Sequence, residues 1–121
     1  MRAPLALLLV LALAALSACG GGGSSSSGAS SSTCPKGAAV IKMKDIKFDP
    51  ETTTAGVGQQ ICWINEDTIE HDAVADSGAS FKSELFGKGQ TFTATVDKPG
   101  TVKYECTVHP GMKGEITVER R

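Results

Sequence analysis

From residue 39 to residue 119, apolar side chains alternate with polar ones in short runs, separated by segments rich in Gly, Pro, Asn and Asp. A period of two places successive side chains on opposite faces, as in a β-strand with one buried face. Runs and turns at this spacing predict seven to eight strands in two packed sheets, an all-β sandwich. The residues predicted to face inward are Ile41, Met43, Ile61, Trp63, Phe92, Ala94, Val96, Val102, Tyr104, Cys106, Ile116 and Val118.

The alternation slips by one residue at Asp45 and then continues with Ile46 and Phe48 on the apolar face and Lys47 between them. A pattern that slips once predicts a bulge or a bend within a strand. We therefore expect Ile46 and Phe48 to face inward together.

Charge and composition exclude nucleic-acid binding as a function. The formal net charge is −1 and the aromatic content is 5%. No basic run is present, and there are too few aromatic residues to stack bases. Any indication of what the protein binds must therefore come from a local sequence motif.

The stretch "CTVHPGM" at 106–112 holds Cys106, His109 and Met112 with two residues between each. Cys106 is the last inward-facing residue of a predicted strand, and Pro110 and Gly111 exclude a helix after it. The loop therefore curls three candidate metal ligands towards one point. A neighbouring strand must supply the rest of the site.

His71 is the candidate for the missing ligand, because the chain contains only two histidines and the other is His109. If strands at 59–65 and 71–75 form a hairpin-like pair, His71 lies at one end of the sandwich. Cys106 is expected at that same end.

The four side chains suit copper better than other metals. A trigonal arrangement of two imidazoles and one thiolate with a weak thioether is the ligand set of electron-transferring copper sites. Zinc gains little from a thioether, iron–sulfur clusters need more thiolates, and haem attachment needs a C-x-x-C-H motif that is absent. A chance arrangement of a buried Cys, a surface His and a core Met is the competing interpretation. It is weakened because both histidines fall at ligand positions.

Residues from about 39 to 119 resemble the cupredoxins, the small blue copper proteins, most closely those of the plastocyanin and amicyanin types. The matching segments are "VGQQICWIN", His71, "GQTFTATVDKPGTVKYECTVHPGM" and Gly114 followed by "ITV". The resemblance implies a Greek-key sandwich that binds one copper ion and transfers single electrons, and it implies that the protein is not an enzyme.

Carried over residue by residue, the resemblance makes His71, Cys106 and His109 the trigonal plane and Met112 the axial ligand. It also makes His109 the exposed edge of a copper site that lies just below the surface. We expect redox protein partners to dock there, and we expect the protein to be a monomer.

Glu70 and Asp72 depart from the family, which often has Pro before the first ligand His and Asn after it. Asp72 can still accept a hydrogen bond from Thr107, the residue after the ligand Cys, and so hold the copper loop. An additional negative charge near copper favours the oxidised ion. We therefore expect Asp72 to lower the reduction potential.

Residues 1–18 resemble a bacterial lipoprotein signal peptide. Arg2 precedes an apolar run at 5–16 that is too short to span a bilayer comfortably, and "LSAC" at 16–19 matches the lipobox. The resemblance predicts cleavage before Cys19 and lipidation of Cys19. The protein is then exported and anchored to the membrane, facing the periplasm or the cell exterior. An uncleaved signal anchor and ordinary secretory cleavage are the alternatives.

Residues 19–33 are predicted to be a flexible tether, because the Gly/Ser-rich stretch after Cys19 has no charge and no apolar group to bury. A chain of this length and composition has a root-mean-square span of roughly 20 Å. The predicted copper domain at 34–121 would therefore stay close to the membrane.

Cys34 and Cys62 remain once Cys19 and Cys106 are assigned to lipid and copper, since the chain has four Cys residues. Export implies an oxidising compartment. In the cupredoxin topology the strand after Cys34 and the strand that contains Cys62 are neighbours, so a disulfide is feasible. Two free thiols are the alternative.

Electron transfer is the leading functional interpretation, because protein side chains fill every strong ligand position and leave none for a substrate. Copper delivery or storage is the alternative, since Cys, Met and His also bind Cu(I). Copper traffickers usually expose more Met or Cys than this chain, which has three Met residues. A structural module at the cell surface with incidental copper is a third interpretation.

Overall fold

The computed structural model describes residues 33–121, so the predicted signal peptide, Cys19 and nearly all of the predicted tether lie outside the described residues. Within 33–121 there is no helix long and apolar enough to cross a membrane. The prediction of an all-β sandwich is confirmed. The eight strands are β1 (Ala39–Lys44), β2 (Lys47–Asp49), β3 (Thr52–Gly56), β4 (Gln59–Asn65), β5 (Val74–Ser77), β6 (Thr91–Val96), β7 (Gly100–Glu105) and β8 (Lys113–Glu119).

The strands form two four-stranded sheets, in the orders β2-β1-β4-β6 and β3-β8-β7-β5. Two pairs are parallel, β1 with β4 and β3 with β8, and the other neighbours are antiparallel. Each sheet therefore draws its strands from both halves of the chain. This mixing brings loops that are distant in sequence to the same end of the sandwich.

The inward-facing residues predicted from the alternation form the core between the sheets, with Ala94 only partly buried. Trp63 lies at the centre of this core, and its ring contacts those of Phe81, Phe92 and Tyr104. Close-packed aromatic rings bury a large apolar area and fix one relative position of the two sheets. The loops at the ends of the strands therefore extend from a rigid frame.

Asp45 and Ile46 form a two-residue turn between β1 and β2, not a bulge. Lys44 pairs with Lys47, and both turn residues have positive φ, 54° and 57°. Such turns match the twist of the strands that they join. Phe48 enters the core on the neighbouring strand, but Ile46 is 47% exposed. The expectation that Ile46 faces inward is wrong, because the chain reverses direction where the pattern slips.

The predicted hairpin-like pair of strands at 59–65 and 71–75 is also wrong. The first segment is β4, which pairs with β1 and β6, whereas β5 begins at Val74 and pairs with β7 in the other sheet. His71 precedes β5 and exchanges backbone hydrogen bonds with Phe86 at 3.2 and 2.9 Å. The chain crosses between the sheets at this point, so His71 lies at an end of the sandwich.

Cys34 and Cys62 form a disulfide with their Cα atoms 5.7 Å apart. Cys62 lies on β4 and is paired in register with Val40 of β1. The bond therefore fastens the segment before β1 to a strand in the interior of its sheet.

Replacement of both Cys34 and Cys62 by Ala should lower the free energy of unfolding by about 3 kcal/mol, because the unfolded chain regains the entropy that the cross-link removes. The cross-linked residues are 28 positions apart. Guanidinium unfolding of the variant and of wild type measures the difference, with reduced wild type as the control. A loss below about 1 kcal/mol would contradict the predicted contribution.

Gly114 of β8 lies directly under the ring of Tyr104. A Cβ atom added at Gly114 would overlap Cζ and the hydroxyl oxygen of Tyr104. Gly114→Ala should therefore displace the ring and lower the free energy of unfolding by about 1–3 kcal/mol. Gly87→Ala is the control, because its added Cβ comes no closer than 3.5 Å, to Oε1 of Gln90. Equal stability of the two variants in the same unfolding assay would refute the close contact.

Candidate metal centre

Two chain segments meet at one end of the sandwich. The first, at 66–73, follows β4 and carries His71, and the second is the loop after β7. In that second loop the amide of Cys106 donates to the carbonyl of Met112 at 2.9 Å, and the amide of Met112 donates to the carbonyl of His109 at 3.0 Å. Gly111 has φ of 88°, which lets the chain turn back sharply. The "CTVHPGM" sequence is thus a closed loop.

Three side chains from these segments converge on one point. Nδ1 of His71 lies 3.2 Å from Nδ1 of His109 and 3.7 Å from Sγ of Cys106. Nδ1 of His109 lies 3.4 Å from the same sulfur. These atoms form a nearly equilateral triangle.

The size of this triangle fits a metal ion. An ion at the centre of a triangle with sides near 3.4 Å lies about 2 Å from each corner, close to the 2.0–2.3 Å of metal bonds to imidazole and thiolate. Met112 is a candidate fourth donor, since it ends the same loop and its side chain is buried in the same core as Cys106. Two nitrogens, a thiolate and a thioether favour copper over zinc.

Asp67 determines which nitrogen of His71 faces the triangle. Nε2 of His71 lies 2.8 Å from Oδ2 of Asp67. An ionised carboxylate only accepts hydrogen bonds, so Nε2 carries the hydrogen and Nδ1 presents its lone pair to the triangle. A carboxylate partner at Nε2 raises the basicity of Nδ1, the nitrogen of His71 that faces the triangle.

The carboxylate of Asp67 is held in place by further donors. The amide of Asp45 donates to Oδ1 at 2.9 Å, and the amide of Ile46 donates to Oδ2 at 3.0 Å. Partial burial acts to raise the pKa of Asp67, but the hydrogen bonds from His71 and from these two amides outweigh it and hold the pKa below its usual value. Asp67 is therefore an anion in the folded protein at neutral pH.

Asp72 and Thr107 join the two segments. The backbone amide of Thr107 donates to Oδ1 of Asp72 at 2.7 Å, and its hydroxyl donates to Oδ2. Asp72 directly follows His71, and Thr107 directly follows Cys106. A single buried carboxylate thus fixes the distance between two of the converging side chains.

The sulfur of Cys106 is buried and lies near backbone amide donors as well as the two imidazoles. Burial raises the pKa of the Cys106 thiol, and hydrogen bonds from the backbone amides of Asp72 and Val108 act in the opposite direction. The same amides stabilise a thiolate once a metal ion supplies positive charge.

The three residues of the triangle differ in exposure. His71 and Cys106 are buried, whereas His109 is partly exposed. Val108 beside it is 48% exposed, and Pro110 and Gly111 are exposed as well. Because Nδ1 of His109 points inward, its ring extends from the triangle towards the surface.

The structure brings together His71, Cys106 and His109 and places Met112 at the end of the same loop. It bonds Asp72 to Thr107 and Cys34 to Cys62. Cys19 lies outside the described residues.

Sequence reasoning missed Asp67 and the buried Asn65. The segment "NEDTIEHD" contains four acidic residues, and nothing in their spacing distinguishes Asp67. Asn65, the first residue of this segment, indicates only a turn. A carboxylate four positions before a candidate ligand His was the available signal, and it is weak by itself.

Comparison with known proteins agrees with this site. A family model described as copper binding proteins of the plastocyanin/azurin family matches residues 35–119. Amicyanin-alpha of Methylorubrum extorquens is 30% identical over 89 residues, which cover 70% of this chain and 75% of the relative. Plastocyanin of Scenedesmus fuscus is 34% identical over 84 residues, which cover 60% of this chain and 86% of the relative.

Solved structures show the same similarity. An oxidised amicyanin mutant superposes with a TM-score of 0.72 at 28% identity, covering 78% of this chain and 95% of that one. The Cu(I) form of another amicyanin mutant gives the same values. The chain belongs to the plastocyanin/azurin family of copper-binding proteins, the cupredoxins. It binds one copper ion and carries electrons between redox partners, and it is not an enzyme.

Proposed function

We propose that His71, Cys106, His109 and Met112 would hold the copper ion, and that this site transfers single electrons at the cell envelope. The observation that carries the proposal is the triangle of donor atoms with sides of 3.2 to 3.7 Å. When bound, copper would supply a redox centre that alternates between two oxidation states.

The role of the protein is to keep the donor atoms in one arrangement. The bonds from Thr107 to Asp72 fix the Cys106 loop against the His71 segment, and the bond to Asp67 fixes the ring of His71. A site whose donor atoms keep their positions has a small reorganisation energy when it gains or loses an electron. With every strong donor position filled by a side chain, no position remains for a substrate.

We propose that redox partners dock around His109. Of the three residues of the triangle, only His109 is partly exposed, and Val108 beside it offers exposed apolar area. A small, mostly apolar contact suits a complex that must form and dissociate quickly.

The proposed location is a membrane to which the protein is anchored by lipid, facing the periplasm or the cell exterior. The signal-peptide resemblance of residues 1–18 and the lipobox at Cys19 support export and lipid anchoring. The Cys34–Cys62 disulfide supports an oxidising compartment, where such bonds persist. Residues 19–33 would tether a monomeric copper domain at 34–121 close to membrane-bound donors and acceptors.

Addition of Cu(II) to the purified protein should produce an intense blue colour, because charge transfer from the Cys106 thiolate to copper absorbs visible light. The protein should then cycle between its oxidation states without losing metal. Visible absorption and copper analysis after each cycle test both points. A colourless product would contradict the proposed site, and loss of copper on each reduction would favour copper delivery or storage.

Cys106→Ser should abolish the blue colour, because the thiolate is the source of the charge transfer. Met112→Leu should retain the colour and shift the reduction potential, because an axial thioether is a weak ligand that tunes the site. Voltammetry and visible spectra of the two variants distinguish these roles. Retention of the colour by Cys106→Ser would show that another residue supplies the thiolate.

Asp72→Asn should raise the reduction potential, because the change removes a buried negative charge that favours oxidised copper. The amide oxygen still accepts the bond from the Thr107 amide, so the loop keeps its position. Asp97→Asn is the matched control, because Asp97 is exposed and follows the end of β6 that is remote from the site. Equal potentials in wild type and Asp72→Asn would contradict this electrostatic role.

A further inference from the structure

The carboxylate of Asp67 connects two parts of the chain that are otherwise separate. It accepts the Nε2 hydrogen of His71 at 2.8 Å, and it accepts the amides of Asp45 and Ile46 from the β1–β2 turn at 2.9 and 3.0 Å. The turn is 21 to 22 residues upstream. The side chain of Asp67 is only 15% exposed. Hydrogen bonds to an ionised carboxylate are stronger than those between neutral groups.

The β1–β2 turn needs an external support. Both of its residues adopt the left-handed conformation, and Ile46 is β-branched, which makes a positive φ an outlier. Its side chain is 47% exposed, so core packing does not hold it there. The hydrogen bonds from the turn amides to Asp67 are the contacts that stabilise this conformation.

Asn65 fixes the position of Asp67 from the other side. The amide of Asp67 donates to Oδ1 of Asn65 at 2.8 Å. The side-chain nitrogen of Asn65 donates to the carbonyls of Ile69 and Phe86, both at 2.9 Å. Asn65 is fully buried, and Phe86 also bonds the backbone of His71. The carboxylate of Asp67 and the imidazole of His71 are therefore held by one network of hydrogen bonds that runs through Asn65 and Phe86.

We propose that Asp67 is a positioning residue that couples the β1–β2 turn to His71. By accepting the Nε2 hydrogen it keeps Nδ1 free to bind copper and prevents rotation of the ring. By accepting the two turn amides it is itself anchored to a strand pair that contributes no ligand. The inference rests on the proposed role of His71 as a copper ligand, but the tautomer and the hydrogen bonds can be tested without copper.

The coupling has an electronic consequence for the copper site. A carboxylate that accepts from a ligand imidazole makes the imidazole a stronger donor, which stabilises oxidised copper more than reduced copper. A mobile carboxylate would give this effect only part of the time. The two turn amides hold the carboxylate in place.

The first experiment follows the metal-free protein by heteronuclear NMR, comparing wild type with Asp67→Ala. Wild type should show a single His71 tautomer with a slowly exchanging Nε2 hydrogen and protected amides at Asp45 and Ile46. In Asp67→Ala the tautomers should mix. All three hydrogens should exchange roughly tenfold faster or more, the scale expected for loss of a bond to a charged group.

Glu70→Gln is the matched control, because Glu70 precedes His71 and its side chain is exposed. It removes one nearby negative charge and leaves the bond to His71 intact. The tautomer and the exchange rates should stay as in wild type. If Asp67→Ala fails to fold, Asp67→Asn replaces it, since one amide oxygen cannot satisfy three donors and faster exchange of at least one hydrogen is expected.

The second experiment measures the reduction potentials of the copper-loaded proteins. Asp67→Asn should raise the potential more than Glu70→Gln does, because only Asp67 acts through the imidazole as well as through its charge. An equal shift in the two variants, with the His71 tautomer unchanged, would overturn the positioning role. An unchanged tautomer together with faster exchange at Asp45 and Ile46 would leave Asp67 as a support of the turn alone and would also overturn it.

These outcomes are separable from failure of the proposed function. If wild type binds no copper but shows the single protected tautomer, the copper assignment fails and the Asp67 contact stands. If wild type turns blue and His71 shows mixed tautomers, the copper assignment stands and the inference fails.

Discussion

The hydrogen bonds from Thr107 to Asp72 are the interaction on which the metal site depends. His71 and Cys106 lie 35 positions apart and belong to segments that follow strands of different sheets. The packed core fixes the two sheets in the middle of the sandwich, but the two segments that carry His71 and Cys106 still need a connection of their own at its end. A buried carboxylate that accepts from the residue after Cys106 provides this connection within one residue of each ligand. The sides of the donor triangle follow from that connection.

The rest of the fold supplies the rigidity behind this connection. The aromatic cluster around Trp63 fixes the sheets in the middle of the sandwich, and the Cys34–Cys62 disulfide fastens the start of the described chain to β4. Asp67 adds a third support, because it ties the His71 ring to the β1–β2 turn. A copper site that must serve two oxidation states benefits from several independent supports of this kind.

Much of the site could be predicted from the sequence, because the sequence features that indicate it lie close to the site residues along the chain. The alternation in "TVKYEC" points Cys106 inward, and Pro110 with Gly111 makes the following segment a loop. His71 could be identified because the chain has only one histidine outside that loop. The link between Asp72 and Thr107 was expected from the family resemblance, since both flank ligand positions.

The features that could not be predicted depend on contacts that are distant in sequence. Asp67 gains its role because the turn at Asp45 and Ile46 folds over it, and no pattern near Asp67 reveals this. The turn itself was missed because a β-branched residue at positive φ is rare. The dipeptide Asp45-Ile46 therefore does not indicate a hairpin turn. The change of sheet between β4 and β5 was missed for a similar reason, since short strands separated by a turn usually pair with each other.

The central claim is that the protein imposes one ligand arrangement on both oxidation states of copper. Crystal structures of the Cu(II) and Cu(I) forms at neutral pH test it most directly. We predict that copper lies within the triangle of His71, Cys106 and His109 in both forms, that Met112 faces the ion, and that the distances between the donor atoms do not change. Copper bound elsewhere, or a His109 ring that leaves the ion on reduction, would contradict the account.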